Sequence, residues 1–270
     1  MKQRTNRFLY ALMLALVASL ATAALAAGAT IVGNDGPNDL TGTDQHDRIA
    51  AKGGDDTVKA LGRADLVIAG DGNDIVDGGS GWDLIVGNAG DDALNGGAGC
   101  DRIFAGPGDD ALEGGPGFSF RRARCERLHG GPGNDTSNGG VGRDFMSGGR
   151  DDDRQSGGPG SDKIFANQGR DVSDGGPGDD VLWALSRKDV TAIGDTEGDE
   201  LYGGEGRDRL RVRDGEVDVV HCGDGRDQVL ADQFDQVDTD CELVLRRDVT
   251  SLDQVDDQEE NNTEDPAPAG

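Results

Sequence analysis

Aspartate returns at every ninth residue along most of this chain, and carboxylates at so regular an interval are equipped to hold a hard cation. From Gly33 to Glu113 the sequence divides without a gap into nine nonapeptides whose sixth positions are Asn38, Asp47, Asp56, Asp65, Asp74, Asp83, Asp92, Asp101 and Asp110. Six more units between Gly130 and Trp183 place Asp135, Asp144, Asp153, Asp162, Asp171 and Asp180 there, two others follow with Asp199 and Asp208, and a diverged copy carries Asp227. Ca²⁺ takes roughly six to eight oxygen ligands, and turns without bulky side chains can add backbone carbonyls to the carboxylates. Mg²⁺ fits less well because it demands a small octahedron and keeps its waters, and the lack of Cys and His clusters argues against zinc.

Glycine and aliphatic residues keep the same phase. Position 8 is Leu40, Ile49, Val58, Val67, Val76, Ile85, Leu94, Ile103 and Leu112 in the first nine units, while glycine recurs at positions 1, 2 and 4, where positive φ values in a tight turn are expected. The three residues after the aspartate are strand-like around one aliphatic side chain. An acidic Gly-rich linker would have no reason to place an aliphatic residue at every ninth position. The pattern resembles the Gly-Gly-x-Gly-x-Asp-x-aliphatic-x repeat of the RTX, or hemolysin-type, calcium-binding family, a resemblance that covers most of the chain after residue 27. It implies position-6 aspartates and turn carbonyls shared between adjacent coils as the calcium ligands.

The predicted fold is all-β, a right-handed parallel β-roll. Two nonapeptides, about 18 residues, close one coil, so strands of successive coils stack at roughly 4.8 Å into two parallel sheets with the position-8 side chains between them. Aspartates then fall into two columns, with Asp56, Asp74, Asp92 and Asp110 on one edge and Asp47, Asp65, Asp83 and Asp101 on the other. Carboxylates so close are not expected to coexist unless a cation sits among them.

The 53 acidic against 26 basic residues give a formal charge of −27, which disfavours nucleic acid or an anionic membrane as partner. Residues 1–27 read as a signal peptide, with Lys2, Arg4 and Arg7 before the apolar stretch Phe8 to Leu20 and Ala24-Leu25-Ala26 as cleavage site; a membrane anchor is the alternative, for which the apolar run is short. Losing Lys2, Arg4 and Arg7 takes the charge from −27 to −30. Nothing later in the sequence is apolar enough for a span. Export through the amino terminus departs from the many family members that carry a carboxy-terminal export signal, and it places the chain in a calcium-rich, oxidising medium.

The four cysteines are therefore expected as two disulfides. Setting aside a seven-residue insertion, 118–124, brings Cys125 to position 5 one coil after Cys100, with Glu126 where aspartate is expected; Cys222 and Cys241, 19 residues apart, form the second predicted pair. The insertion, which carries Arg121, Arg122 and Arg124, is expected to protrude and neutralise nearby aspartates. Position 8 turns polar at Ser137, Gln155 and Ser173 in alternate units, so one sheet should be polar there and that half of the roll the weaker. The roll is expected over residues 28–211, a diverged cap over 212–247 and an acidic disordered tail over 248–270.

Only three histidines are present, and no nucleophile elbow or zinc-protease helix can be found. The expected function is non-enzymatic calcium binding with calcium-coupled folding, in a secreted structural, surface or adhesion role whose partners are cell-surface or matrix components. The alternative is a secreted hydrolase or polysaccharide-modifying enzyme that uses the sheet as a substrate groove, for which Trp82, Trp183 and Tyr202 are few and scattered.

Overall fold

A computed structural model describes residues 28–117, 126–184 and 198–249. The expected signal segment, the insertion and the chain from 250 lie outside the described residues. Within them every regular element is a strand, and none is a helix long and apolar enough to cross a membrane.

The strands form two stacked parallel sheets, as the nonapeptide pairing requires. The first takes alternate units: Thr30–Val32, Arg48–Gly53, Leu66–Asp71, Leu84–Ala89, Arg102–Phe104, Arg127–Pro132, Phe145–Arg150, Lys163–Gln168, Val181–Trp183, Arg209–Val212, Gln228–Ala231 and Leu243–Arg246. The second runs from Asp39–Thr43 to Gln236–Val237 in the intervening units. Register follows the repeat, with Ile49 opposite Val67 and Val67 opposite Ile85 in one sheet, and Val58 opposite Val76 and Val76 opposite Leu94 in the other. The fold is a parallel β-solenoid of the β-roll kind.

Position 8 builds the core. Ile49, Val67, Ile85, Ile103, Leu128, Met146, Ile164, Leu182, Leu210 and Val229 of the first sheet are all buried against Val58, Val76, Leu94, Leu112, Leu201 and Val220 of the second. Each such burial is worth about 1.5–3 kcal/mol, so every coil carries its own small increment of core and depends on its neighbours for the rest.

The glycines divide by cause, which the sequence reading did not anticipate. Most position 2 residues and many position 4 residues have positive φ, as at Gly97 (+94°) and Gly206 (+145°), although position 4 does not at Gly142, Gly160 or Gly178. Position 1 does not; there the constraint is space. A Cβ on Gly87 would stand 2.3 Å from Asp92 Oδ2 and 2.6 Å from the Ala105 carbonyl oxygen of the next coil. Alanine nevertheless fills position 1 at Ala51, Ala69 and Ala105, fully buried beside the core.

The polar stretch lies where expected, in the second sheet, with Ser137 opposite Gln155 and Gln155 opposite Ser173. Its satisfaction is partly internal. The Gln155 amide is oriented to donate to Ser173 Oγ at 3.2 Å and to the Phe165 carbonyl at 3.1 Å, and its oxygen accepts from the Gly148 amide at 2.9 Å. Gln155 thus ties the second sheet to backbone of the first, a bond that mutual pairing alone would not supply. Three aliphatic burials are still missing. At limiting calcium, hydrogen exchange at Thr136–Asn138, Arg154–Ser156 and Val172–Asp174 is expected to run at least tenfold faster than at Ala93–Asn95 and Ala111–Glu113. Equal protection would show that the Gln155 bonds fully replace the missing core.

The last coil is covered by the chain that follows it. Gln233 exchanges two hydrogen bonds with the Val249 backbone, at 2.6 and 2.7 Å, and Val249 is 1% exposed. The Arg246 guanidinium donates to the carbonyls of Asp232 and Asp235. Packing therefore continues into the first residues of the segment expected as tail.

Candidate metal centres

The position-6 residues stand at the corner before each strand, and parallel stacking aligns them on the two edges of the roll. On the first edge the backbone amide of Asp47 donates to Asp65 Oδ1 at 2.7 Å, Asp65 to Asp83 at 2.8 Å, Asp83 to Asp101 at 2.7 Å, and so through Glu126, Asp144, Asp162, Asp180, Asp208 and Asp227 to Glu242. On the second edge the same bond runs from Asn38 through Asp56, Asp74, Asp92, Asp110, Asp135, Asp153, Asp171, Asp199 and Asp218 to Asp235. All seventeen aspartates singled out from the sequence fall in these two columns. The sequence reading set Glu126 at a position-6 place and missed Asp218, Asp235 and Glu242, whose separations from the preceding member are 19, 17 and 15 residues.

Most of these carboxylates have one oxygen engaged and one idle, whereas Asp47 and Asp235 accept hydrogen bonds on both. The engaged oxygen receives the amide of the previous coil. The other, Oδ2, is buried without a hydrogen-bond partner at Asp56, Asp65, Asp74, Asp83, Asp92, Asp101, Asp110, Asp135, Asp144, Asp153, Asp162, Asp180, Asp208 and Asp227. Buried acceptors left in this state cost roughly 1–3 kcal/mol each, more when charged, so a periodic set of them calls for a cation. At Gly78, Gly87, Gly96, Gly130, Gly139, Gly148, Gly157, Gly175 and Gly203, the idle oxygen and a carbonyl oxygen of the next coil crowd the same glycine, within 3 Å of where a Cβ would stand. A carbonyl oxygen has two lone pairs, and one remains after its ladder bond.

Burial lifts many of the column carboxyls well above the ordinary range. Asp83, Asp92, Asp135 and Asp162 are pushed up to about 7, Asp180 to about 8, and Asp153 and Glu126 to about 9. Loss of solvation is the largest cause in each case, repulsion from column neighbours is smaller, and the amide hydrogen bond opposes both. The expected difficulty of crowded carboxylates is thus mainly one of dehydration, which an ion that replaces the lost water ligands relieves. The donors are all oxygen, the set preferred by a hard divalent cation.

Cys222 and Cys241 form a disulfide with Cα atoms 5.2 Å apart, joining the last two coils. Cys100 is disulfide-bonded, and its expected partner Cys125 lies outside the described residues. The outer face of the first sheet carries a feature the sequence reading missed. Phe165 and Trp183, one coil apart, stack at 4.3 Å and 9°, with Phe145 beside Phe165 at 5.1 Å and Lys163 and Arg211 over the indole. The signal was present, since Phe165 and Trp183 both hold position 9.

The sequence model of the RTX calcium-binding nonapeptide repeat matches residues 27–58, 60–94, 86–120, 129–162, 147–182 and 193–229. No curated protein matches the chain. The matched segments cover well over half of the sequence and contain all seventeen column aspartates singled out from it, so the chain belongs to the RTX calcium-binding nonapeptide repeat family.

Proposed function

We propose that the two carboxylate columns bind Ca²⁺ ions along both edges of the roll, that folding is coupled to their binding, and that the protein serves outside the cell as a calcium-dependent structural or surface module. The observation that carries this is the buried, unpartnered second oxygen repeated from coil to coil. The ligands are the seventeen aspartates, with Glu126 in the same column, and fourteen of these aspartates offer an idle oxygen to an ion that also meets turn carbonyls. Calcium supplies the positive charge and the coordination that burial removes. The columns form only when coils stack, so ion binding and stacking favour each other.

Export is supported by the amino-terminal sequence and by the Cys222–Cys241 disulfide, which persists best in an oxidising medium. A non-catalytic role is supported by where the candidate reactive groups lie. His46 bonds the Ala64 carbonyl, His129 packs edge-on to Phe104, and His221 is engaged by Asp238 at 2.7 Å and stacked on Tyr202. Trp183 is covered to 6% exposure beneath its stack and cations, so it is a poor platform for a sugar; cell-surface or matrix components remain the partners that the charge and rod-like repeat suit.

Far-ultraviolet circular dichroism of the chain with disulfides intact tests this. Titration with CaCl₂ is expected to produce a cooperative gain of strand signal that MgCl₂ at equal concentration does not. A spectrum already folded in chelator at neutral pH and indifferent to calcium would overturn the coupling.

A further inference from the structure

The two sheets turn opposite chemistry outward. Position 8 faces the core, so positions 7 and 9 beside it face away, and parallel pairing lays each into a row along the roll. In the first sheet these rows hold Arg48, Arg102, Arg127, Lys163, Arg209 and Arg211, and among the described residues from Thr30 to Leu245 they hold no acid. With 53 acidic against 26 basic residues in the chain, an acid-free face of this length is not what composition alone would place there. In the second sheet the same rows hold Asp39, Asp77, Glu113, Asp174 and Glu200 against Lys59 and Arg154, with Asp238 just after the last strand. Tyr202 and His221 engage Glu200 and Asp238, and Asp39, Asp77, Glu113 and Asp174 are exposed.

The first face is apolar as well as cationic. Val32, Ile68, Leu243 and Leu245 on it are each at least 39% exposed, and Arg48, Arg102 and Arg209 are exposed among half-buried Leu66, Leu84 and Val86. Phe165 and Trp183 are covered from their own face, by Phe145 and Val181 and by the cations Lys163 and Arg211. Arginine and large apolar side chains in one continuous patch are the composition of a protein interface.

We propose that this face docks on the second sheet of another copy of the chain, so that rolls pack side by side with their axes parallel. A second copy is the favoured occupant because its opposite face carries the opposite charge on the same repeat: both sheets advance one strand about every 4.8 Å, so cationic and acidic rows run in step. Ile75, 58% exposed, and Tyr202, 37% exposed, give the acidic face apolar contacts of its own. Two first faces would instead set cation against cation. Twelve strands of three residues present a face about 50 Å by 10 Å, so the contact buries about 1,000 Å² in all, the lower bound for a specific interface. It is therefore weak, and because it joins unlike faces it grows without closing. The inference rests on the calcium-loaded reading of the roll, since bound cations offset the negative charge that holds copies apart.

Sedimentation velocity of the disulfide-intact chain tests the contact, run in CaCl₂ and in EDTA at concentrations up to about 1 mM to reach weak association. Species growing past the dimer are expected in calcium and none in EDTA. Arg48→Glu with Arg102→Glu and Arg209→Glu spoils the first face; Asp77→Asn with Glu113→Gln and Asp174→Asn spoils the second. Each triple variant should raise the midpoint of assembly at least tenfold, and an equimolar mixture of the two should associate again but stop at the dimer, because each brings one intact face. Should the Glu variant gain no strand signal in calcium, Arg48→Gln with Arg102→Gln and Arg209→Gln takes its place in the same mixture. A second-face variant that assembles like the parent, or a mixture that stays monomeric, overturns the contact. A parent that gains strand signal in calcium and remains a monomer throughout removes this contact alone, whereas a parent that gains none overturns the calcium reading as well.

Discussion

Acid should do in chelator part of what calcium does at neutral pH. Many column aspartates have their carboxyl raised in the folded chain from the ordinary value of 3.8, to about 6 at Asp65, Asp101 and Asp208, about 7 at Asp83, Asp92, Asp135 and Asp162, and about 9 at Asp153. Between those limits the folded chain holds protons that the unfolded chain has released. Stability of the metal-free roll therefore rises as pH falls from 9 toward 4, by about 1.4 kcal/mol per pH unit for each proton of difference. Above the folded values the full cost of dehydrated charge is present; below the unfolded value it is gone. Circular dichroism in EDTA is expected to show little strand signal at pH 8 and a clear gain at pH 5, and calcium affinity should weaken over the same descent because protons occupy the same oxygens. A metal-free chain that loses structure on acidification would show that the columns do not limit folding.

The second large effect concerns the narrow seam where turns stack. Gly142, Gly160, Gly178 and Gly206 succeed one another across coils, and a Cβ on Gly206 would lie 1.4 Å from the Gly178 carbonyl oxygen at a φ of +145°. Gly206→Ala has no side chain to rotate away, so the coil must open or slip. Its expected cost is more than about 4 kcal/mol, seen as a calcium-loaded protein whose unfolding midpoint drops sharply and whose calcium midpoint rises. Gly53→Ala is the control, because its nearest contact would be 3.7 Å away and its φ is not positive; it should lie within about 1 kcal/mol of the parent. Equal behaviour of the two variants would mean that the stacked seam is not what limits the turn.

Legibility followed phase. A coil that repeats must repeat its core residue and its corner residue, so Ile49, Val67 and Ile85 with Asp47, Asp65 and Asp83 declare sheets, edges and columns in the sequence. Beyond Arg211 the intervals slip to 19, 17 and 15 residues and glycine thins, so Asp218, Asp235 and Glu242 fall out of the phase kept up to Asp208, although Val220, Val229 and Val244 still hold the register in space. The space limit at position 1 was hidden for a different reason: glycine there and glycine at position 2 look alike in a sequence, yet one is fixed by a neighbouring carboxylate and the other by its own φ.

The amide-to-carboxylate ladder spans separations of 15, 17, 18, 19, 25 and 28 residues with the same bond. Extra residues thus leave the stacking bond intact and add nothing to the length of the rod. Only another pair of nonapeptides does that. Twelve stacked strands at about 4.8 Å make a bar roughly 50 Å long. The molecule works as a ruler graduated in coils: gene duplication moves its ends apart in fixed steps, while insertions leave the distance between its ends unchanged.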